Sequence, residues 1–143
     1  MKKIIMFFVM FVMMSVTTFA FDKIITVQEL PAKAQTFIKT YFPTQTVMYA
    51  KIDRDIRITY EVRLNDDTEI EFNSNGVWDK VDCKHLPVPS KLIPVAISDY
   101  VKTHYPNTQI VKIDKERRGY DIELSNDLDL SFNKRFQLID IDD

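Results

Sequence analysis

Two segments of the chain place hydrophobic residues three and four positions apart, which is the spacing of one face of an α-helix. The first segment runs from Leu30 to Tyr41 and the second from Ile93 to His104. A proline suits the first turn of a helix, where its missing N–H has no intrahelical partner, and a second proline ends the helix. The pattern therefore predicts two helices, bracketed by Pro31 and Pro43 and by Pro94 and Pro106.

After each helix, hydrophobic and polar residues alternate, as they do in β-strands with one buried face. The clearest run extends from Ile56 to Leu64, and turn-forming Asn, Asp and Gly residues separate it from its neighbours. The alternation predicts antiparallel strands near residues 46–53, 56–64, 69–72 and 78–81, and again near 108–115, 119–125, 128–133 and 136–141.

The chain also repeats itself, and the repeat organises these elements. The segment Phe37–Pro43 recurs as Tyr100–Pro106, and Tyr60–Leu64 recurs as Tyr120–Leu124. Lys-Ile-Asp occurs at 51–53 and again at 112–114, which suggests a third matching segment. Each copy is therefore interpreted as one helix followed by about four strands, with the first repeat at 21–83 and the second at 84–143.

The N-terminus has the composition of a secretory signal peptide. Lys2 and Lys3 precede an apolar run from Ile4 to Met14, and small residues lead to Ala20. A membrane anchor is the competing interpretation, but the run is shorter than the roughly 20 residues that a bilayer crossing needs. We therefore expect residues 1–20 to be removed by cleavage near Ala20, giving a periplasmic or secreted protein without a stable membrane anchor.

Composition excludes several classes of function. One cysteine, Cys83, cannot form an intramolecular disulfide or a zinc site of two thiolates, and two glycines cannot supply a three-glycine dinucleotide motif. The net charge of −2 speaks against nucleic-acid binding, and it becomes more negative if the leader, with two lysines and no acid, is removed. Cys83 and His85 offer a thiol and an imidazole two residues apart, but no Ser-His-acid or His-Glu-x-x-His motif is present. We expect no catalytic residue, no cofactor and no metal.

The matching segments are a helix ending in an aromatic-Pro pair, a Lys-Ile-Asp strand, a Tyr-x-hydrophobic-x-Leu strand, a hydrophobic-x-Phe-Asn strand and a Gly-x-Trp strand. They resemble the PepSY-like family of small exported bacterial proteins, which is also described as similar to the β-lactamase-inhibitor protein. The resemblance implies an α+β fold, with two tandem repeats in one continuous antiparallel sheet, both helices on one face, no catalytic residues and a periplasmic location. Phe136 and Leu138 replace Gly76 and Trp78 in the second copy, so its last hairpin is expected to differ.

Such a sheet leaves one polar face free of helices. Pairing Val62 with Ile70 sets Arg63 opposite Glu69 and Glu61 opposite Glu71, whereas pairing Ile122 with Leu130 sets Glu123 opposite Asp129. The first half is thus expected to be of mixed charge and the second half acidic. The residues predicted for this face, as a candidate partner-binding surface, are Tyr49, Lys51, Arg57, Glu61, Arg63, Glu69, Glu71, Lys112, Asp121, Glu123 and Asp129.

Three interpretations of this face remain open. It is a solvated surface that resists edge association, a docking surface for a protein partner, or, least favoured for lack of an EF-hand pattern, part of a calcium site at Asn126, Asp127 and Asp129. The preferred prediction is a non-enzymatic binding or inhibitory module for another exported or periplasmic protein, with its oligomeric state open. The alternative is a small-molecule or peptide carrier, with a pocket between helices and sheet beside Tyr41 and Phe72. Trp78 is expected to anchor the core.

Overall fold

The computed structural model describes residues 22–143, so the predicted leader at 1–20 lies outside the described residues. The chain forms helices α1 (Ala32–Tyr41) and α2 (Val95–His104), each preceded by a short 3₁₀ turn. Nine strands complete the fold: β1 (Lys23–Ile25), β2 (Val47–Asp53), β3 (Thr59–Leu64), β4 (Glu69–Asn73), β5 (Trp78–Asp82), β6 (Ile110–Glu116), β7 (Gly119–Leu124), β8 (Asp129–Asn133) and β9 (Leu138–Asp142).

All nine strands belong to one antiparallel sheet whose spatial order is the order of the chain. Helix α1 precedes strands β2–β5 and helix α2 precedes β6–β9, so each repeat contributes one helix and four strands. Strands β5 and β6 pair directly and join the two repeats. The predicted α+β class and the tandem layout are therefore confirmed. No helix among residues 22–143 has both the length and the apolar character that a membrane crossing requires.

An unbroken row of apolar side chains crosses the sheet from one edge to the other. Its members are consecutive cross-strand partners, which places them on one face. Along β1 to β9 they are Ile25, Ala50, Val62, Ile70, Val81, Ile113, Ile122, Leu130 and Ile141. The central members are fully or almost fully buried. One hydrophobic core therefore continues from the first repeat into the second.

Both helices cover this apolar face. The Phe37 ring of α1 meets Phe72 edge-on with 5.5 Å between centroids, and Tyr100 of α2 meets Phe132 in the same way at 5.4 Å. Edge-to-face contacts of this kind stabilise aromatic pairs. Trp78 also packs on this side of the sheet, 6.1 Å from Phe37, which agrees with its expected role in the core.

The predicted pairing of the central hairpins is confirmed, but one repeat match is wrong. Val62 faces Ile70 and Ile122 faces Leu130, as expected. Val62 and Ile122 are equivalent positions of the two repeats. Ala50 opposes Val62 and Ile113 opposes Ile122, so Ile113 is the counterpart of Ala50. The two Lys-Ile-Asp segments are therefore out of register by two residues. The counterpart of Lys51 in the second repeat is Asp114.

Two strand predictions also need correction. Strand β3 begins at Thr59 rather than at Ile56, because residues 54–58 turn away from the sheet and leave Ile56 95% exposed. The alternation at Ile56 and Ile58 thus does not reflect burial. The short edge strand β1 carries too few residues to show an alternating pattern, and it is absent from the sequence-based prediction.

The last hairpin of the second repeat keeps the geometry of the first, against expectation. Gly76 has a φ of 78°, and Phe136 adopts nearly the same left-handed backbone at 60°. Leu138 faces Phe132 as Trp78 faces Phe72. The turn therefore imposes its backbone conformation even on an aromatic residue, which ordinarily disfavours it.

Candidate functional site

The face of the sheet opposite the helices carries two rows of mainly polar side chains, because successive residues of a strand point to opposite faces. We call this surface the open face. From β2 to β9, one row consists of Lys51, Glu61, Glu71, Lys80, Asp114, Asp121, Ser131 and Asp140. The other consists of Tyr49, Arg63, Glu69, Asp82, Lys112, Glu123, Asp129 and Asp142.

Ten of the eleven residues predicted for this surface lie on the strands of the open face, and Arg57 lies beside them. Arg57 belongs to the exposed segment between β2 and β3 and is not part of a strand. Tyr49 and Lys51 contact the carboxylate of Glu61. Because β3 starts late, Arg57 belongs to neither polar row, but it lines a surface depression together with Glu71, Lys80 and Asp114.

Ion pairs neutralise the first-repeat half of the open face. Lys51 Nζ lies 3.0 Å from Asp22 and 3.2 Å from Glu61, and the Tyr49 hydroxyl donates a hydrogen bond of 3.1 Å to Glu61. The hydrogen bond to Asp22 raises the pKa of Lys51 despite partial burial, and Glu61 raises it further. Burial, followed by the hydrogen bond to Glu61, raises the pKa of Tyr49. Lys51 therefore stays charged and Tyr49 stays neutral at neutral pH.

A second group of ion pairs lies where β4 begins and β5 ends. Lys84 Nζ is 2.9 Å from Asp82 and 3.2 Å from Glu69, and Arg63 lies 3.1 Å from Glu69. Burial acts to raise the pKa of Asp82, but hydrogen bonds from the side chain and backbone of Lys84 outweigh it, so the pKa is lowered. Lys80 also pairs with Glu71 at 3.5 Å. The acids of this half thus have cationic partners.

The second-repeat half of the open face is acidic. In the described part of the chain its single ion pair joins Lys112 to Asp114 at 3.7 Å. Glu123 faces Asp129, and Asp129 faces Asp142, so three acids follow one another across neighbouring strands. We call this half the acidic surface; it is a shallow depression of about 260 Å³, with carboxylates from Asp114, Asp121, Glu123, Asp129, Asp140 and Asp142.

Charge reversal at equivalent positions produces this difference between the halves. The strand register makes Asp114 the counterpart of Lys51, Glu123 that of Arg63, and Asp140 that of Lys80. Three of the four basic side chains that neutralise the first half, Lys51, Arg63 and Lys80, are thus acids at the equivalent positions of the second. Burial raises the pKa of Asp114, although the nearby Lys112 and Lys80 act in the opposite direction.

Sequence reasoning found three acids of this surface and missed three others. Asp114 was missed because the Lys-Ile-Asp match set it beside Asp53 rather than Lys51. Asp140 and Asp142 were missed because the last hairpin was expected to differ from its counterpart. The match of Trp78 with Leu138 would have placed Asp140 and Asp142 on this surface.

The other candidate groups lie elsewhere. Cys83 is buried, and burial raises the pKa of its thiol to about 11, so the thiolate nucleophile is scarce at neutral pH. Within residues 22–143, no three His, Cys, Asp or Glu side chains are grouped so that they could hold a metal ion. Asn126 uses its side-chain oxygen to accept a hydrogen bond from the Leu128 backbone, and Asp127 lies in the same tight turn.

Side chains fill the space between helices and sheet at the positions considered for a carrier. Phe72 is fully buried. Tyr41 packs against Phe37, with 4.8 Å between ring centroids, and Phe37 in turn covers Phe72. A ligand at this place would have to displace an aromatic cluster, so the geometry favours a surface site.

Comparison with known proteins identifies relatives at both the family and the structural level. A family model described as "Putative beta-lactamase-inhibitor-like, PepSY-like" matches residues 20–70 and 58–140. No significant match was found among curated proteins.

Three solved structures resemble the chain closely. A "putative calcium-regulated periplasmic protein" from Bacteroides thetaiotaomicron is 42% identical with a TM-score of 0.83, covering 85% of this chain and 97% of that one. A "putative periplasmic protein" of the DUF2874 family from Bacteroides vulgatus is 41% identical with a TM-score of 0.82, at the same coverage. Another Bacteroides vulgatus protein, described as periplasmic and "of unknown function", is 38% identical with a TM-score of 0.83, covering 86% and 100%.

Proposed function

Because the chain belongs to the PepSY-like family, we propose that it is a non-enzymatic periplasmic protein that binds or inhibits another exported or periplasmic protein through the open face. Its relatives of known structure are described as periplasmic proteins, which supports the location. The family description names likeness to an inhibitor, which supports action by occlusion rather than by chemistry.

The acidic surface is the observation that carries this proposal. Exposed ion pairs contribute little to folding, and like charges on neighbouring strands are unfavourable. The acidic surface therefore does not serve the stability of the sheet. A concentrated negative surface attracts a basic partner and orients it during encounter. We infer that the partner carries a positively charged patch.

Affinity capture with paired charge reversals tests the proposal. The segment Phe21–Asp143 contains every described element, and 85–86% of the chain covers 97–100% of the solved relatives, so this segment is suitable as bait. The bait is exposed to a Bacteroides periplasmic extract and the retained proteins are identified. Asp121→Lys with Glu123→Lys reverses charge at the centre of the acidic surface. The matched control, Asp55→Lys with Asp99→Lys, makes the same change in net charge at exposed positions away from it.

We expect one or more basic proteins to be retained by the unaltered bait and by the control, and lost from the bait with reversed Asp121 and Glu123. If both reversed baits retain the same proteins, the open face is not the docking surface. Failure to retain any specific protein would count against the proposal as a whole.

Calcium regulation is a second candidate function, which the description of the Bacteroides thetaiotaomicron relative brings to this chain. The acidic surface favours it, because calcium prefers carboxylate oxygens. The absence of a preformed ligand cluster within residues 22–143 speaks for weak binding. Calorimetric titration with calcium chloride tests this function. Saturable binding supports calcium regulation if the double reversal Asp121→Lys with Glu123→Lys abolishes it. Heats equal to those of sodium chloride at matched ionic strength exclude it.

A further inference from the structure

Strand β9 (Leu138–Asp142) ends the sheet, and no strand among residues 22–143 lies beyond it. Its counterpart in the first repeat is β5, whose outer edge is covered by β6. Val81 of β5 is fully buried at that junction, whereas its counterpart Ile141 is 47% exposed and the neighbouring Ile139 is 60% exposed. Strand β9 thus presents an apolar edge, with unpaired backbone groups of the kind that accept an added strand.

The junction between β5 and β6 shows what kind of strand fits this edge. Val81 faces Ile113 at its centre, and each flanking charge faces one of opposite sign. Lys80 faces Asp114, and Asp82 faces Lys112. The same positions of β9 are Asp140, Ile141 and Asp142. By the same rule, the complementary strand has a branched apolar residue between two basic ones.

A second copy of the chain does not meet this requirement. Antiparallel pairing of two β9 strands centred on Ile141 would set Asp140 of one copy against Asp142 of the other, and opposed like charges are destabilising. Pairing of β9 with β1 of another copy would set Ile24, which shares a face with Lys51, against an aspartate. Charge therefore favours a different, basic strand over self-association.

We propose that β9 is an edge-strand docking site for an extended segment of a partner protein in which lysine or arginine alternates with a β-branched apolar residue. The positive charge of this partner rests on the proposed function. The proposal adds the mode of binding: the segment extends the sheet beside β9, covers Ile141 with its apolar side chains and places its basic side chains against Asp140 and Asp142.

A defined peptide tests the proposal. A short capped peptide of alternating lysine and valine is titrated into Phe21–Asp143 by calorimetry, and amide hydrogen exchange of residues 138–142 is followed by NMR. We expect saturable binding and slower exchange in β9. Methylation of alternate backbone nitrogens in the peptide should abolish binding, since it blocks strand pairing and keeps the charge. A peptide of the same composition with its lysines in one block should bind more weakly.

Charge reversals in the protein separate this proposal from the more general one. Asp140→Lys with Asp142→Lys should weaken peptide binding by about tenfold or more, and Asp140→Asn with Asp142→Asn should weaken it less. The control Asp55→Lys with Asp99→Lys should leave it unchanged. Far-UV circular dichroism checks that each variant is folded.

The contrary outcomes differ for the two proposals. Edge docking is refuted if the peptide with a methylated backbone binds equally well. It is also refuted if binding depends on Asp121 and Glu123 but not on Asp140 and Asp142. In either case docking on the open face remains the proposal. If the peptide does not bind, edge docking fails, and the capture experiment decides the general proposal separately. If sedimentation shows a dimer that reversal of Asp140 and Asp142 dissociates, the occupant is a second copy and the inference is wrong.

Discussion

At the scale of single residues, charge on the open face depends on a few substitutions between equivalent positions. Lys51 and Arg63 hold acids of the first repeat at hydrogen-bond distance, and their counterparts Asp114 and Glu123 cannot do so. Because these side chains are partly exposed, each pair contributes little to folding. The charge at these positions can therefore change at small cost in stability.

Asp82 is the acid whose replacement should affect stability most clearly with pH. It accepts hydrogen bonds of 2.9 Å from both the backbone and the side chain of Lys84. Asp82→Asn is expected to lower the free energy of unfolding at pH 7 by up to about 1 kcal/mol. Urea unfolding measures the loss, and Asp99→Asn, exposed on α2, serves as a control that should change stability by less than about 0.5 kcal/mol.

The sign of the pH dependence follows from the lowered pKa of Asp82, whose ordinary value is 3.8. The folded protein binds this proton less tightly than the unfolded chain, so ionised Asp82 stabilises the fold. That contribution is complete above the unfolded pKa and is lost as pH falls through the lower folded pKa. The stability difference between the protein and Asp82→Asn should therefore shrink below pH 3.8. A difference that is unchanged or grows there would contradict this assignment.

At the scale of elements, the position of a strand in the sheet decides what its side chains contribute. The alternation of hydrophobic residues predicts which residues face each other in β3 and β4. A shift of the strand register by one residue would turn Val62 or Ile70 to solvent. It does not predict where pairing stops: Ile56 and Ile58 continue the alternation of β3 into a turn. Nor does local pattern show which strand lies at an edge, since β5 and β9 occupy equivalent positions in the two repeats but only β5 is covered.

Matched truncations in β5 and β9 test this difference. Val81→Ala removes methyl groups from a fully buried site and should cost about 2–3 kcal/mol. Ile141→Ala removes a larger side chain from the equivalent position of the edge strand, yet should cost less than about 1 kcal/mol because its site is half open. Thermal and urea unfolding give both values. Equal losses would mean that β9 is covered in solution, for example by a second copy.

At the scale of the whole molecule, the two repeats share one core. Ile113 and Val81 are both fully buried where β6 meets β5, and the Lys115 ammonium lies 3.8 Å from the centre of the Trp78 ring across the same junction. Neither repeat can separate from the other without exposing this apolar contact. The sequence predicts the two repeats. It does not predict the residues at their junction, because the Lys-Ile-Asp match places β6 two residues out of register.

The shared core predicts one cooperative unfolding transition. Fluorescence of Trp78, the only tryptophan of the chain, reports on the first repeat, and NMR intensities of β8 amides report on the second. Their urea midpoints should coincide, and Ile113→Ala should lower both equally. Two separate midpoints would show that the repeats unfold as independent domains.

The sequential order of the strands has a consequence for how the chain reaches this structure. Each strand from β2 onward pairs with the one that precedes it, and a helix intervenes only before β2 and before β6, so most pairings in the sheet are hairpins between neighbouring segments. Folds dominated by such local contacts tend to form quickly. A chain delivered from its N-terminus could close each hairpin as its second strand emerges, and the finished first repeat would then present β5 as a template on which β6 starts the second.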